Sequence, residues 1–344
     1  MDESLQLLSE QLREKPRKWL VTGAAGFIGS NLCEFLLNNN QIVVGLDNFS
    51  NGRRENIEEV KMVCNEHIDN FHFHEGDIRD FETCVKVSKD VDHILHQAAL
   101  GSVPRSINSP DLSHQSNVDG TFNMLNAARQ ANVKSFVFAS SSSVYGDNEK
   151  DFKIEDSIGT QLSPYAVTKH VCELYGRVFN LTYGLPTIGI RYFNVFGKRQ
   201  DPNGAYAAVI PKWIERALTG KELEIYGDGE TSRDFCYIDN VIQLNIKASL
   251  NTDTNNFGQI YNCALSKTTS LNTLSKLILD NIKVYSGKEL VSEITYKDFR
   301  KGDIKNSQAN ISKSIEKLGY QPEVYIEEGI KRTVQYYLSK KENI

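Results

Sequence analysis

Tyr165-Ala166-Val167-Thr168-Lys169 sets a phenol and an amine four residues apart, which on a helix brings both to one face. Ser140-Ser141-Ser142-Ser143 precedes them, with Ser141 24 residues before Tyr165. These side chains suit proton transfer to and from an alcohol that is being oxidised or reduced. A phenol titrating near ~10 is a poor base at neutral pH, and bringing it to about 7 takes roughly 4 kcal/mol of anion stabilisation. One exposed charge does not supply that, whereas an ammonium and a positively charged nicotinamide ring, both partly desolvated, can. A serine sharing a hydrogen bond with the reacting hydroxyl would steer its proton to the phenol while hydride moves to the ring. Tyr and Lys at this spacing also occur on solvated helix surfaces; the serine run at a strand end sets this pair apart.

A nicotinamide needs its own seat, and Thr22-Gly23-Ala24-Ala25-Gly26-Phe27-Ile28-Gly29-Ser30 has the pattern of one. Glycines between a strand and a helix let the backbone turn tightly and approach a pyrophosphate, whose charge the helix N-terminus favours. The same glycines would also serve plain helix–strand packing. Asp47 falls 18 residues after Gly29, where a carboxylate accepts the ribose hydroxyls of NAD and repels a 2′-phosphate. The alternative is an Asp capping the loop before Asn48, and Arg53 and Arg54 nearby leave NADP open. Asp77-Ile78 follows the third apolar run, where an adenine edge would be read, although Asp77 could equally cap a helix.

The elements that must hold these groups read as alternating strands and helices. Apolar runs at Trp19–Val21, Ile42–Leu46, Phe71–Phe73, His93–His96, Phe136–Phe138 and Thr187–Ile190 are separated by helix-length segments, including Phe27–Leu37, Asp119–Gln130 and Tyr165–Leu181. That alternation predicts an α/β fold, a Rossmann-like doubly wound parallel sheet. Residues 1–17 form an amphipathic extension, with Leu5, Leu8 and Leu12 on one face and Pro16 ending it. Residues 18–190 make the NAD-binding domain. Past Arg191 the pattern breaks at the Gly/Pro/Asn-rich stretch 197–204, and 191–344 forms a smaller mixed α/β substrate lobe, some of whose segments return to the first domain.

Composition excludes several classes. Hydrophobic residues are 40% and charged residues 24% of the 344, which is ordinary for a folded globular chain and not for a disordered or collagenous one. A net charge of −5 has the wrong sign for a nucleic-acid partner. No apolar run reaches the ~20 residues of a membrane span, and Met1-Asp2-Glu3-Ser4 does not begin a signal peptide, so a cytoplasmic location is expected. Cys33, Cys64, Cys84, Cys172, Cys236 and Cys263 form no C-x-x-C pair, and His72 and His74 lack further ligands at metal spacing, so no metal is expected.

The glycine turn, the serine stretch and Y-x-x-x-K together resemble the extended short-chain dehydrogenase/reductases that act on nucleotide sugars. More narrowly, Gln97-Ala98-Ala99-Leu100-Gly101-Ser102-Val103-Pro104-Arg105-Ser106, Arg191-Tyr192-Phe193-Asn194-Val195-Phe196-Gly197 and Gly227-Asp228-Gly229-Glu230-Thr231-Ser232-Arg233-Asp234 resemble the UDP-N-acetylglucosamine 4-epimerases of bacterial polysaccharide pathways. The resemblance implies Tyr165 as the base, Ser141 as the hydroxyl partner and Lys169 as the holder of the nicotinamide ribose. It also implies that Asn117 orients that lysine through the backbone. Gln97, Ala98 and Ala99 would join Gly23, Gly26, Phe27, Ile28, Gly29, Asp47, Asn48, Asp77 and Ile78 around NAD. Asn194, Arg233, Arg300 and Asp303 would hold the UDP diphosphate and ribose, and the arginines suit a diphosphate on charge grounds as well. Val209 and Tyr226 are further implied substrate contacts, and a homodimer is implied.

Hexose 4,6-dehydratases of this kind carry an acidic pair just before Val-Tyr-Gly, and UDP-glucuronate decarboxylases keep a Glu at the second position. Ser142 and Ser143 stand there instead, leaving one proton-transfer group and hence 4-epimerisation through a 4-keto sugar. In epimerases of plain glucose and galactose a gate-like Tyr lies four residues after the Asp of R-x-G-D; here that position is Ser307, which leaves room for an acetamido group. Gly101, Ser142, Gln200 and Ala208 match small or amide residues framing the sugar in N-acetyl-selective members, and Ser102 and Ser143 are further implied substrate contacts. The expected reaction interconverts UDP-GlcNAc and UDP-GalNAc, with UDP-glucose/UDP-galactose and the N-acetylhexosaminuronates as alternatives. A non-catalytic NAD-binding sensor and a dehydrogenase releasing NADH are the rival classes.

Overall fold

The structure, a computed structural model, describes residues 3–204, 207–287, 292–299 and 306–342. Trp19 and Val21 pack into one hydrophobic cluster while Leu20 between them packs into another, and Val137 faces away from Phe136 and Phe138 in the same manner. Side chains alternate across a strand, so a strand apolar at every position must be covered on both sides. Strands β1 (Lys18–Thr22), β2 (Ile42–Asp47), β3 (Phe71–Glu75), β4 (His93–His96), β5 (Ser135–Ser141), β6 (Thr187–Tyr192) and β7 (Gln259–Cys263) accordingly form one parallel sheet. Its order is β7-β6-β5-β4-β1-β2-β3. The direction of winding reverses between β1 and β4, which opens a crevice at the carboxyl ends of those strands.

Five helices cover most of the sheet: α1 (Glu3–Glu14), α2 (Phe27–Asn38), α3 (Gly120–Ala131), α4 (Pro164–Tyr183) and α5 (Ile238–Ser249). Leu5, Leu8 and Leu12 of α1, Leu32 and Leu36 of α2 and Val241 and Leu244 of α5 share the Trp19 cluster. Met124 and Leu125 of α3 and Cys172 and Phe179 of α4 share the Leu20 cluster on the other face. The N-terminal extension is thus part of the core, and Gln41 fastens it by donating to the Leu12 carbonyl at 2.9 Å and accepting from the Trp19 indole at 3.1 Å.

The strand expected to end at Ile190 continues through Arg191 and Tyr192, both buried against β5. Beyond it the chain builds small sheets, one of which orders Thr269–Ser270, Ser232–Arg233, Asn306–Ala309 and Phe152–Lys153 side by side. Phe152–Lys153 therefore crosses from the first half of the chain into this small sheet, whereas α5 and β7 come from the second half into the large sheet. Tyr261 and Ile260 of β7 face opposite clusters, the two-sided burial that only a sheet position flanked on both faces provides. All six cysteines are buried and unpaired, and no described helix is long and apolar enough to cross a membrane.

Candidate active site

The turn between β1 and α2 is built for glycine. Gly23 has φ +69°, and a Cβ on Gly29 would stand 2.0 Å from the Gly23 carbonyl oxygen. The Gly26 N–H closes the turn onto that same oxygen at 3.0 Å. Gly26 caps α2 without any side-chain bond, so the first-turn N–H groups keep their positive end for a ligand. They open into a cavity of about 500 Å³, whose wall includes Gly23, Gly26, Phe27, Ile28 and Gly29.

Asp47 closes β2 on the same wall. Its carboxylate accepts the N–H of Ala25 at 2.9 Å and of Phe49 at 2.8 Å, holding the glycine turn and the following loop around one charge. Burial pushes its pKa up, and those two N–H groups oppose the rise. Asn48 and Asp77 also line the cavity, and the Asn48 amide donates to Asp77 at 2.8 Å. Asp77 is no helix cap: Asp80 caps the next helix through the N–H groups of Glu82 and Thr83. The Arg79 side chain bonded to Asp77 lowers its pKa to about 2. Ile78 is beside it on the wall. Arg54 turns away to Glu75 and stacks on Phe49, and Arg53 reaches Glu55 and Asp201.

Tyr165 and Lys169 line the same cavity. Ser163 caps α4 by accepting the Ala166 N–H, and Pro164 takes the first helical position, so Tyr165 is fixed in the first turn. Ser106 accepts the Tyr165 N–H at 3.0 Å, tying that turn to the segment after β4. Lys169 is 4% exposed and donates to the Ala139 carbonyl of β5 at 2.9 Å. Ala139 and Ser140 form the adjoining wall. Ser141, the next residue, accepts the Ser143 N–H and meets the Ser143 hydroxyl at 2.8 Å; Ser142 and Ser143 begin the 3-10 turn that follows, and none of the three is on the cavity lining, which Ser140 reaches instead.

Gln97, Ala98, Ala99, Gly101 and Ser102 continue the lining beyond β4. Asn117 sits in a π-helical turn, Gln115–Asp119, buried under them. Its side chain bonds both the N–H and the carbonyl of Leu100 and the Thr168 hydroxyl, and its carbonyl faces the Cys172 thiol. Its described bonds therefore reach the lysine's helix through Thr168 and Cys172 rather than through Lys169 itself.

The expected substrate residues divide. Gln200 and Ala208 line the cavity, and the side-chain oxygen of Gln200 is buried with no hydrogen-bond partner among the described residues. Arg233 and Ser307 are register partners on adjacent strands of the lobe sheet, and the Asp234 N–H donates to the Ser307 carbonyl. Asn194, at φ +31°, donates to the Asp234 carbonyl at 3.0 Å and so joins that group. Val209 opens the helix Val209–Leu218 and Tyr226 ends the strand Leu223–Tyr226, and neither these two nor Asn194, Arg233 and Ser307 are on the cavity wall. Arg300 and Asp303 lie outside the described residues.

Sequence reasoning missed other members of the wall. Asn51 and Arg105 meet across the cleft at 2.5 Å, and Arg199, fully buried, pairs with Glu34 and Glu59 beneath Gln200. It also missed a buried Ser140–Glu173–Arg191 cluster behind Lys169. Arg105 and Arg191 stand inside motifs already singled out, but nothing in a linear sequence pairs them with Asn51 or Glu173.

A single cavity lined by both a glycine turn and a Tyr/Lys helix fits a dinucleotide. Residues 19–264 match the NAD dependent epimerase/dehydratase family. The chain belongs to that family. It is an enzyme of the epimerase class, an isomerase, and NAD is its cofactor. A UDP-N-acetylglucosamine 4-epimerase from Methanobrevibacter ruminantium M1, solved in complex with UDP-N-acetylmuramic acid, is 38% identical, covers 95% of this chain and 99% of its own, and superposes with a TM-score of 0.85. A UDP-glucuronic acid 4-epimerase from Bacillus cereus, solved with UDP-glucuronic acid and NAD, is 32% identical over 94% of this chain and 99% of its own, with a TM-score of 0.82. A putative UDP-glucose 4-epimerase of Methanocaldococcus jannaschii is 37% identical over 92% of this chain and 97% of its own.

Proposed function

We propose that this epimerase interconverts UDP-N-acetylglucosamine and UDP-N-acetylgalactosamine at C4, in the cytoplasm, with NAD held between turnovers. The observation that carries the reading is that Tyr165 and Lys169 line one cavity with the glycine turn and Asp47. The turn and the uncapped start of α2 would hold the pyrophosphate. Asp47 and Asn48 would hold the adenosine ribose, with Asp77 and Ile78 at the adenine. Bound there, NAD supplies a hydride acceptor and donor for the sugar C4.

Tyr165 takes the proton of the C4 hydroxyl and later returns it. Ser141 shares that proton's hydrogen bond, and Lys169 holds the nicotinamide ribose and stabilises the phenolate. Both faces of the sugar ring must be offered in turn, which demands room and a tether. Arg233 and Asn194, with Arg300 and Asp303, supply the tether at the diphosphate and ribose. Gly101, around which a Cβ would meet nothing within 4 Å, and Ser307, with its small side chain beside Arg233, supply the room for an acetamido group. The oxygen of Gln200, which has no partner among the described residues, suits an amide N–H. Mixing the purified protein with UDP-GlcNAc without added cofactor tests this: the 1H NMR spectrum should gain UDP-GalNAc signals, and their absence while UDP-glucose is turned over would replace the substrate.

The same helix that carries Tyr165 carries an exposed apolar stripe on its opposite side, Val167, Leu174, Val178 and Leu181, with Phe122 of α3 nearby against Tyr175. At 100° per residue the four fall within one narrow stripe. This supports a homodimer through α3 and α4 of both copies.

A further inference from the structure

Directly behind the Tyr165/Lys169 face lies a charged pair that the proposed chemistry does not use. Arg191 of β6 and Glu173 of α4 are 3% and 5% exposed and meet in bidentate fashion, Nε to Oε1 at 2.8 Å and Nη2 to Oε2 at 2.7 Å. The Ser140 hydroxyl donates to the same Oε1 at 2.5 Å, and Arg191 donates its remaining Nη1 to the Glu155 carbonyl at 3.0 Å. A buried ion pair of this kind contributes little stability compared with apolar residues of equal volume, whereas removing one partner alone is costly. Its placement is therefore the informative part. Tyr165, Lys169 and Glu173 succeed one another at four-residue steps along one face of α4, so the carboxylate is one turn from the ammonium. Consecutive β5 residues are held by that face: the Ala139 carbonyl by Lys169 and the Ser140 hydroxyl by Glu173.

We propose that Arg191 is a positioning residue: by saturating both oxygens of Glu173 it keeps that carboxylate from capturing Lys169, so the ammonium stays on Ala139 and faces the nicotinamide site. Tyr145 lies with its ring under Arg191 at 4.7 Å, its hydroxyl already given to Asn262, and Glu155 accepts the Asn262 N–H. With a neutral side chain in place of Arg191, the cations one turn from Glu173 along the helix are Lys169, which is buried, and Arg177, which is exposed, so Lys169 is the one that shares the buried side with the carboxylate. The inference rests on the role proposed above for Lys169, and it explains why an Arg, with its two parallel donors, stands at the buried end of β6.

The test is a charge cycle in the holoenzyme, with NAD content and kcat and KM measured for each variant. Arg191→Met should lower kcat about 100-fold, the scale of a misplaced catalytic group, with KM for the UDP-sugar within about 3-fold. Glu173→Gln should stay within about 5-fold of wild type, and Glu173→Gln with Arg191→Met together should recover at least about 10-fold over Arg191→Met alone, because no stray carboxylate remains. If Arg191→Met does not fold, Arg191→Lys serves, since one ammonium cannot hold both oxygens; its kcat should fall about 10-fold and again recover when Glu173→Gln is added. A single variant with wild-type kcat, or a double variant as slow as the single, overturns the inference. Loss of turnover in the wild-type enzyme would instead count against the reaction itself.

Discussion

Replacing Gly29 by Ala tests the cofactor seat at its tightest point. Ordinary contact begins near 3.4 Å, and the added methyl would stand 2.0 Å from the Gly23 carbonyl oxygen, 2.7 Å from its carbon and 3.0 Å from Ala24 Cα. Every one of these atoms is backbone, so no side chain can rotate aside, and the start of α2 must back away from the turn by about an ångström. That displacement removes the helix N-terminus from the pyrophosphate. Two charge-assisted N–H bonds, at roughly 1.5–3 kcal/mol each, would be lost, or about 3–6 kcal/mol together. The dissociation constant for NAD should rise by roughly 10²–10⁴. The assay is the NAD released on denaturing the purified protein, followed by calorimetric titration of the stripped variant. Gly101→Ala is the control, because its Cβ would have no neighbour within 4 Å and NAD should stay bound. A Gly29→Ala protein that purifies with one NAD per chain and wild-type affinity would refute the reasoning.

Three further outcomes follow from the geometry. Burial raises the Asp234 carboxyl to about 6, against the N–H groups of Leu265 and Ala309 that bond its charged form. The folded state thus binds this proton more tightly than the unfolded chain, whose Asp titrates near ~3.9. The associated stability is complete below pH ~4, is lost as pH rises through about 6, and amounts to roughly 3 kcal/mol. Urea melts at pH 4.5, 5.5 and 7 should therefore show wild type losing ground to Asp234→Asn as pH rises, and a flat or rising difference would contradict it. Ser307→Tyr should cut kcat/KM for UDP-GlcNAc about 100-fold while sparing UDP-glucose, read by parallel kinetics on the two sugars. Leu174→Glu should convert the proposed dimer to monomer in light scattering, because this side chain is 53% exposed in the single chain; a variant of the same mass as wild type would contradict the proposed contact.

How far the sequence could be read depended on whether the determinant was local. The glycine turn, the alternation of Trp19-Leu20-Val21 and the Ser163-Pro164 start of α4 act within a few residues, so spacing and residue type were enough to place six of the strands and the Tyr/Lys helix. Strand β7 and helix α5 were not legible because they join the sheet after a long excursion, and their apolar residues look the same whether they cover a lobe or a doubly wound core. Asp77 shows the limit in small: its type fitted a cap, but the cap went to Asp80, three residues on. The Glu173–Arg191 pair and the Arg233–Ser307 register are contacts between distant segments, and no periodicity encodes them.

The central claim is that hydrogen leaves the sugar C4 as hydride and returns to the same carbon without exchange. UDP-GlcNAc deuterated at C4, incubated with the enzyme in ordinary water and followed by NMR and mass spectrometry, measures this directly. The account predicts UDP-GalNAc that keeps its deuterium at C4 and no accumulation of reduced cofactor; product carrying solvent hydrogen at C4 would contradict it.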